Sequence, residues 1–199
     1  MFGEITMKRL NRAIAALAVF AAVLFVLSGC KKSEDKIKVK MDVRDYGTIY
    51  LELYPDEAPI TVANFVKLAN EHFYDGLTFH RIISGFMIQG GDPEHNGMGG
   101  SDENIKGEFK LNGVENNISH IRGTISMGRT QFDYNSASSQ FFIVHKDSTG
   151  LDGQYAAFGR VTEGIEVVDK ICESVPVVDN NGTVLFENQP VITSVEIID

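Results

Sequence analysis

Strand-length runs broken by glycine-bearing turns, with no regular alternation of strand and helix, constrain this chain more than any other feature. The stretch FHRIISGFMIQGGD, Phe79 to Asp92, shows the pattern plainly. Two runs of β-branched, aromatic and long apolar residues flank Ser84-Gly85, as a hairpin would. Comparable runs occupy Ile37 to Val43, Thr48 to Leu53, Gly123 to Met127, Gln140 to Val144, Ala156 to Val161 and Val191 to Ile198. Two segments carry the helical period instead. Asp56-Glu57-Ala58-Pro59 opens the first, with acids and a proline where an N-terminal turn accepts them. Its stripe is Val62, Phe65, Val66 and Ala69, and Asp75-Gly76 stops it. The second, Glu163 to Cys172, repeats through Ile165, Val168 and Ile171. About eight strands, two helices and no βαβ units predict a mainly β fold. The expected form is a closed eight-stranded antiparallel barrel capped by two α-helices, because closure removes exposed sheet edges.

The N-terminus reads as a targeting segment. A basic start at Met7-Lys-Arg-Leu-Asn-Arg12 precedes an uncharged stretch, Ala13 to Leu27, and then Leu27-Ser28-Gly29-Cys30. These are the n-region, h-region and small-residue cleavage site of an export signal. The apolar stretch is short for a membrane span, which needs about 20 residues. Leu-Ser-Gly-Cys resembles the bacterial lipobox, in which the cysteine is acylated and becomes the first mature residue. The expected organisation is a signal peptide over 1–29, a lipidated Cys30 with a charged tether through 36, and one folded domain over 37–199. The expected location is the extracytoplasmic face of the cell membrane, held by a lipid anchor. Lys8, Arg9, Arg12 and Glu4 leave with the signal, so 15 basic residues face 26 acidic ones, a formal charge of −11. Such a chain offers no basic stripe for nucleic acid. Cys30 is used by the lipobox, so Cys172 has no partner for an internal disulfide and reads as a small buried side chain.

Within the hairpin, Arg81 and Gln89 break an apolar pattern. Alternation puts Arg81 on one face with Ile83, and Gln89 with Met87. A few polar groups in an apolar concave site would explain them. Ser136 to His145, SASSQFFIVH, starts another strand at Gln140-Phe141-Phe142, where one ring enters the core and the other can line an outer groove. Together with LDGQYAAFGRV these stretches resemble the cyclophilins, the barrel-type peptidyl-prolyl cis-trans isomerases, across about residues 37 to 199. IKGEFKLNGVENN and RGTISMGR are similar to the bacterial branch.

That resemblance implies a site residue by residue. Arg81 is its catalytic arginine with Gln89 beside it, and Phe86, Met87, Phe142 and Leu151 form a proline pocket. Gln89 and Gln140 hydrogen-bond the substrate, while the Arg129 backbone pairs with an extended peptide. Tyr155 lines the site where many members carry histidine. Gly150 stands in place of a tryptophan found in many eukaryotic members, so the contact that residue makes with cyclosporin is missing. Met98 and Thr130 flank a secondary pocket, which Met98 narrows. The implied partners are proline-containing segments of exported proteins, met by a monomer that assists their folding, with no metal or cofactor.

The residue chemistry agrees with that activity. Rotating an amide costs about 18–20 kcal/mol, and X-Pro isomers exchange over tens to hundreds of seconds. A guanidinium, always charged and geometrically fixed, can donate to the prolyl nitrogen as the amide twists. The five histidines, His72, His80, His95, His120 and His145, have no metal-ligand spacing; His120 is expected to pack or hydrogen-bond within the barrel. GGDPEHNGMGG lacks the ending of a phosphate loop, and Ser138-Ser139 is in no nucleophile elbow. The rival from another class is a proline-peptide binding module without turnover. The guanidinium argues against it, because binding alone would not require one.

Overall fold

The computed structural model describes residues 36–198, so the signal segment, Cys30 and all but the last residue of the tether lie outside the described residues. Eight strands form one antiparallel sheet: β1 Ile37–Val43, β2 Gly47–Leu53, β3 Phe79–Ile83, β4 Met87–Gly90, β5 Thr124–Met127, β6 Phe141–Val144, β7 Ala157–Glu163 and β8 Ile192–Ile198. Their order is β3-β4-β6-β5-β7-β2-β1-β8. In β1 and β2 the side chains alternate cleanly. Val39, Met41, Ile49 and Leu51 are buried, and the register pairs Val39 with Leu51 and Met41 with Ile49. In β5 and β6 every residue is buried, because both faces of the sheet are covered there.

The expected closed barrel is corrected to an open, curled half-barrel. The strand order leaves β3 and β8 as edges. The outer edge of β3 is occupied by a returning loop instead of by β8. Ile82 N–H donates to Gly182 O at 2.8 Å, and Val184 N–H to His80 O at 3.0 Å. Near β8 the seam is joined by an isolated bridge, Thr78 to Val191, and by Phe79 N–H on Pro190 O at 3.0 Å. The loop satisfies backbone groups that a closing ladder would otherwise use. Register shifts at Asp42/Val43, Tyr50/Leu51 and Ile125/Ser126 bend the strands and curl the sheet.

Two helices pack on this sheet, α1 Pro59–Asn70 and α2 Ile165–Ser174. Helix α1 buries Val62, Phe65, Leu68 and Ala69, while Val66 is only half-buried; the helix ends at Asn70, before the expected Asp75-Gly76 stop. Its N-terminal donors are satisfied from a distance. The buried Glu108 carboxylate accepts from Ile60 N–H at 3.1 Å, Thr61 N–H at 2.8 Å and Thr61 Oγ1 at 2.7 Å. Helix α2 starts at Ile165 because Gly164 turns the chain at φ 83°, where a Cβ would meet Thr48 O at 2.1 Å. Cys172 on its inner side is a buried free thiol, and burial pushes its pKa up to about 12, which suits an inert packing role. Among the described residues, no helix is long and apolar enough to cross a membrane.

Candidate active site

Strand register builds the site on the outer face of the sheet. Arg81 pairs with Gln89, Gln89 with Phe142, and Phe142 with Ser126, so these four side chains form one row across β3, β4, β6 and β5. In the next row Ile83, Met87 and Val144 lie side by side. Parity in β6 sends Phe141 into the main core and Phe142 outward, so one ring enters the core and the other faces out, as alternation predicts. A second apolar cluster results, with Met87, Phe142 and Val144 buried and Ile83, Phe86, Leu151 and Tyr155 packed against them.

That cluster walls a cavity of about 200 Å³, lined by Arg81, Phe86, Met87, Gln89, Gly128, Arg129, Phe142, Leu151 and Tyr155. Arg81 is half-buried at its edge. Its Nε–H donates to Asn181 O at 2.8 Å and its Nη1 to Gln89 Oε1 at 3.1 Å. Burial pulls the guanidinium pKa down from its ordinary value, with Tyr155 and Asp179 acting in the other direction. Gln89 passes the chain of donors onward. Its Nε2 donates to Gln140 Oε1 at 2.8 Å, and Gln140 Nε2 donates to Gly99 O at 2.7 Å and Gly97 O at 3.1 Å. Each amide is thereby fixed in orientation.

The rear of the Phe142 ring is held by His120, stacked at 6.0 Å with 19° between planes. Its Nδ1 lies 2.9 Å from Asp152 Oδ1 and its Nε2 3.0 Å from Ser126 Oγ. The carboxylate can only accept, which puts the proton on Nδ1 and leaves Nε2 to accept from the serine. Burial lowers the His120 pKa, against the opposing pull of Asp152. Tyr155 meets Phe142 edge-on at 5.9 Å. The Arg129 guanidinium lies 4.6 Å from the Tyr155 ring centre, 4.9 Å from that of Tyr134 and 5.3 Å from that of Phe109.

Beside the first cavity is a second of about 380 Å³, which shares Gln89, Gly128 and Arg129 with it and adds Met98, Thr130 and Gln140. Met98 is 84% exposed at its rim. The glycine-rich loop around Met98 folds over Asp92, whose buried carboxylate accepts from Glu94 N–H at 2.8 Å, Asn96 N–H at 3.1 Å and Gly97 N–H at 2.5 Å. Burial alone would raise the Asp92 pKa, but these donors together outweigh it and hold it below the usual carboxylate range. Gly150 has open space where a Cβ would stand.

All eleven residues expected around the groove thus line one or the other of two adjoining cavities, Arg129 having been expected there through its backbone. Three contributors escaped the sequence reading. The Asn181 carbonyl is a backbone group, and only the turn-forming Asp179-Asn-Asn-Gly182 run hints at it. The stacking of His120 behind Phe142 depends on a register between β5 and β6. The Arg129 guanidinium finds its three rings on separate loops. Among the described residues, no three of His, Cys, Asp and Glu gather as metal ligands would.

Comparison with known proteins follows the same outline. A family model described as cyclophilin type peptidyl-prolyl cis-trans isomerase/CLD matches residues 38–197. Peptidyl-prolyl cis-trans isomerase B of Bacillus subtilis is 49% identical over 124 residues, 62% of this chain and 82% of that protein. A peptidyl-prolyl cis-trans isomerase of Helicobacter pylori is 46% identical over 127 residues, 63% of this chain and 74% of that protein. Among solved structures, a cyclophilin type isomerase from Cryptosporidium parvum, crystallised in the presence of the dipeptide Ala-Pro, superposes with a TM-score of 0.71 at 28% identity. The match covers 81% of this chain and 99% of that one.

Proposed function

Because the chain belongs to the cyclophilin-type peptidyl-prolyl cis-trans isomerase family and is an isomerase of that kind, we propose that it turns X-Pro bonds in exported proteins, with Arg81 as its catalytic group. The observation that carries the residue assignment is the cross-strand row, which sets a fixed guanidinium against an apolar cavity. The prolyl ring sits on Phe142 between Met87, Leu151 and Phe86, while the acyl side stays free to rotate. As the amide twists, its nitrogen loses resonance and becomes an acceptor, and Arg81 donates to it. The dry pocket strengthens that bond, and each 1.4 kcal/mol or so of preferential transition-state binding gives a tenfold rate. Gln89 holds the guanidinium from the strand side. The Arg129 backbone, just beyond the Gly128 N–H that closes on Gln140 O at 2.8 Å, pairs with the extended peptide. The residue preceding proline reaches the larger cavity between Met98 and Thr130. Exchange NMR on an Ala-Pro tetrapeptide tests the assignment. Arg81→Ala is expected to cut turnover at least tenfold with the fold intact, and Arg81→Lys to recover little, since an ammonium lacks the planar fork. Full turnover by a folded Arg81→Ala protein would remove Arg81 from the mechanism; tight binding of the peptide with no turnover by the wild type would favour a binding module.

The location is proposed from the sequence alone. Leu27-Ser28-Gly29-Cys30 after an uncharged apolar stretch supports a lipid on Cys30, which would hold a monomeric domain outside the membrane, where unfolded exported chains emerge.

A further inference from the structure

Arg81 is held at two atoms of its guanidinium, and only Nη1, on Gln89 Oε1 at 3.1 Å and Met87 Sδ at 3.9 Å, meets the sheet. Gln89, which accepts from Nη1, is fixed by ladders to β3 and β6. Asn181, whose carbonyl accepts from Nε, is an exposed residue in a loop 100 positions away. Among the described residues no hydrogen bond is recorded from Nη2, which is therefore the edge left for a substrate. Its aim depends on the loop that presents the Asn181 carbonyl.

A single carboxylate organises that loop. Asp179 Oδ1 accepts from Thr183 N–H at 3.0 Å, Asp179 Oδ2 accepts from Thr183 Oγ1 at 2.8 Å, and the Asp179 backbone carbonyl accepts from Gly182 N–H at 3.1 Å. These bonds close a five-residue turn over Asn181. Gly182, at φ 80°, then lets the turn lie against β3. A Cβ there would stand 2.2 Å from Ile82 O, and the Gly182 carbonyl accepts from Ile82 N–H at 2.8 Å. Asp179 belongs neither to the apolar cluster nor to either cavity lining.

We infer that Asp179 is a positioning residue for the isomerase reaction: it fixes the turn that holds the Asn181 carbonyl on Arg81 Nε and so aims the free Nη2 edge at the rotating bond. The inference rests on the assignment of Arg81 as the catalytic group. Without the Asp179 side chain the backbone bonds remain, Val178 N–H on Thr183 O at 2.9 Å, Gly182 N–H on Asp179 O at 3.1 Å and Ile82 N–H on Gly182 O at 2.8 Å, while both side-chain bonds to Thr183 are lost. The turn then samples several conformers, and Arg81 loses its carbonyl for part of the time. Ground-state binding depends on the apolar pocket, whereas the bond from Arg81 forms only as the amide twists, so the loss falls on kcat. The Asp179 charge also favours the guanidinium cation.

The test compares Asp179→Ala, Asp179→Asn and Thr183→Val with the wild type on an Ala-Pro peptide. It reads kcat, KM, thermal midpoint and the solvent exchange of the Arg81 Nε–H NMR signal. Asp179→Ala is expected to lower kcat threefold or more, with KM within twofold, an unchanged midpoint and faster Nε–H exchange. Asp179→Asn keeps an oxygen for Thr183 N–H and an amide that the hydroxyl can accept from, so it recovers most of the loss. Thr183→Val removes one bond only and falls between them. Wild-type kcat in Asp179→Ala overturns the inference, as does a fall in kcat with Nε–H exchange unchanged, or an Asn variant no better than Ala. Inactivity of Arg81→Ala alongside a fully active Asp179→Ala would reject the positioning role and leave the catalytic assignment standing.

Discussion

Phe142 shows how much one side chain can carry in this site. It is 5% exposed, lies between His120 and the edge of Tyr155, and floors the cavity that Arg81 overlooks. Truncation would empty a buried volume and free both neighbours. Phe142→Ala is expected to destabilise the protein by about 3 kcal/mol, within the usual range for a buried ring. It should also raise KM and lower kcat for every residue preceding proline, as an X-Pro peptide panel and a urea titration would report. Normal activity across the panel would place the proline pocket elsewhere. That one of Phe141 and Phe142 points outward was legible in the sequence, since successive residues of a strand face opposite ways; that it is Phe142 was implied only by the family resemblance. The stacked His120 was not legible, because its approach depends on the pairing of Ser126 with Phe142.

At the scale of elements, α1 depends on a residue far from it in sequence. Its Ala58 N-cap has no side-chain oxygen, and Glu108 supplies the acceptors instead. Removing a buried charged acceptor leaves backbone donors at the helix start without a partner. Glu108→Ala is expected to cost about 1.5–3 kcal/mol, the range for bonds to a charged group. Glu108→Gln should cost less, as it keeps one oxygen but turns an amide toward a donor. A change in urea midpoint too small to measure for Glu108→Ala would show that water caps the helix equally well. The stripe of α1 was visible in the spacing of Val62, Phe65 and Ala69; its cap was not, because no local residue makes it. The start of α2 moved for a related reason: Gly164 must pass close to Thr48 O, a contact that no helical period reveals.

Across the whole molecule, two buried histidines make stability depend on acid. Burial lowers the pKa of His120, and burial together with Arg81 and His95 lowers that of His80, against a smaller opposing pull from Asp152 and Asp92 respectively. A histidine held neutral in the fold takes up a proton more readily once unfolded. The stabilisation is therefore complete above the unfolded value of 6.5 and is lost as pH falls from there toward the lower folded values. Urea unfolding is expected to give a constant free energy from about pH 8 to 7 and a falling one from about pH 6.5 to 5. A flat profile over that lower window would mean that both rings titrate in the fold as freely as in the unfolded chain. The location makes a separate prediction. Cys30→Ser should block lipidation and detergent partitioning yet leave isomerase turnover intact, because the described groove draws on no residue before Arg81. An unmodified Cys30 in membrane-extracted protein, read by intact mass, would sink the anchor and leave the enzyme standing.

The amino-acid sequence by itself determined the strand runs, the alternation that puts Arg81 with Ile83, Gln89 with Met87 and one of Phe141 and Phe142 outward, and the stripes of both helices. Each follows from the periodicity of residues close together in the chain. Tertiary structure alone decided that the sheet stays open, that Glu108 caps α1, and that Asn181 holds Arg81. Those contacts join residues at least 47 positions apart, where a loop reaches a backbone donor or a guanidinium before a strand does. A local period records which way a side chain faces, and carries no information about which distant carbonyl will arrive to meet it.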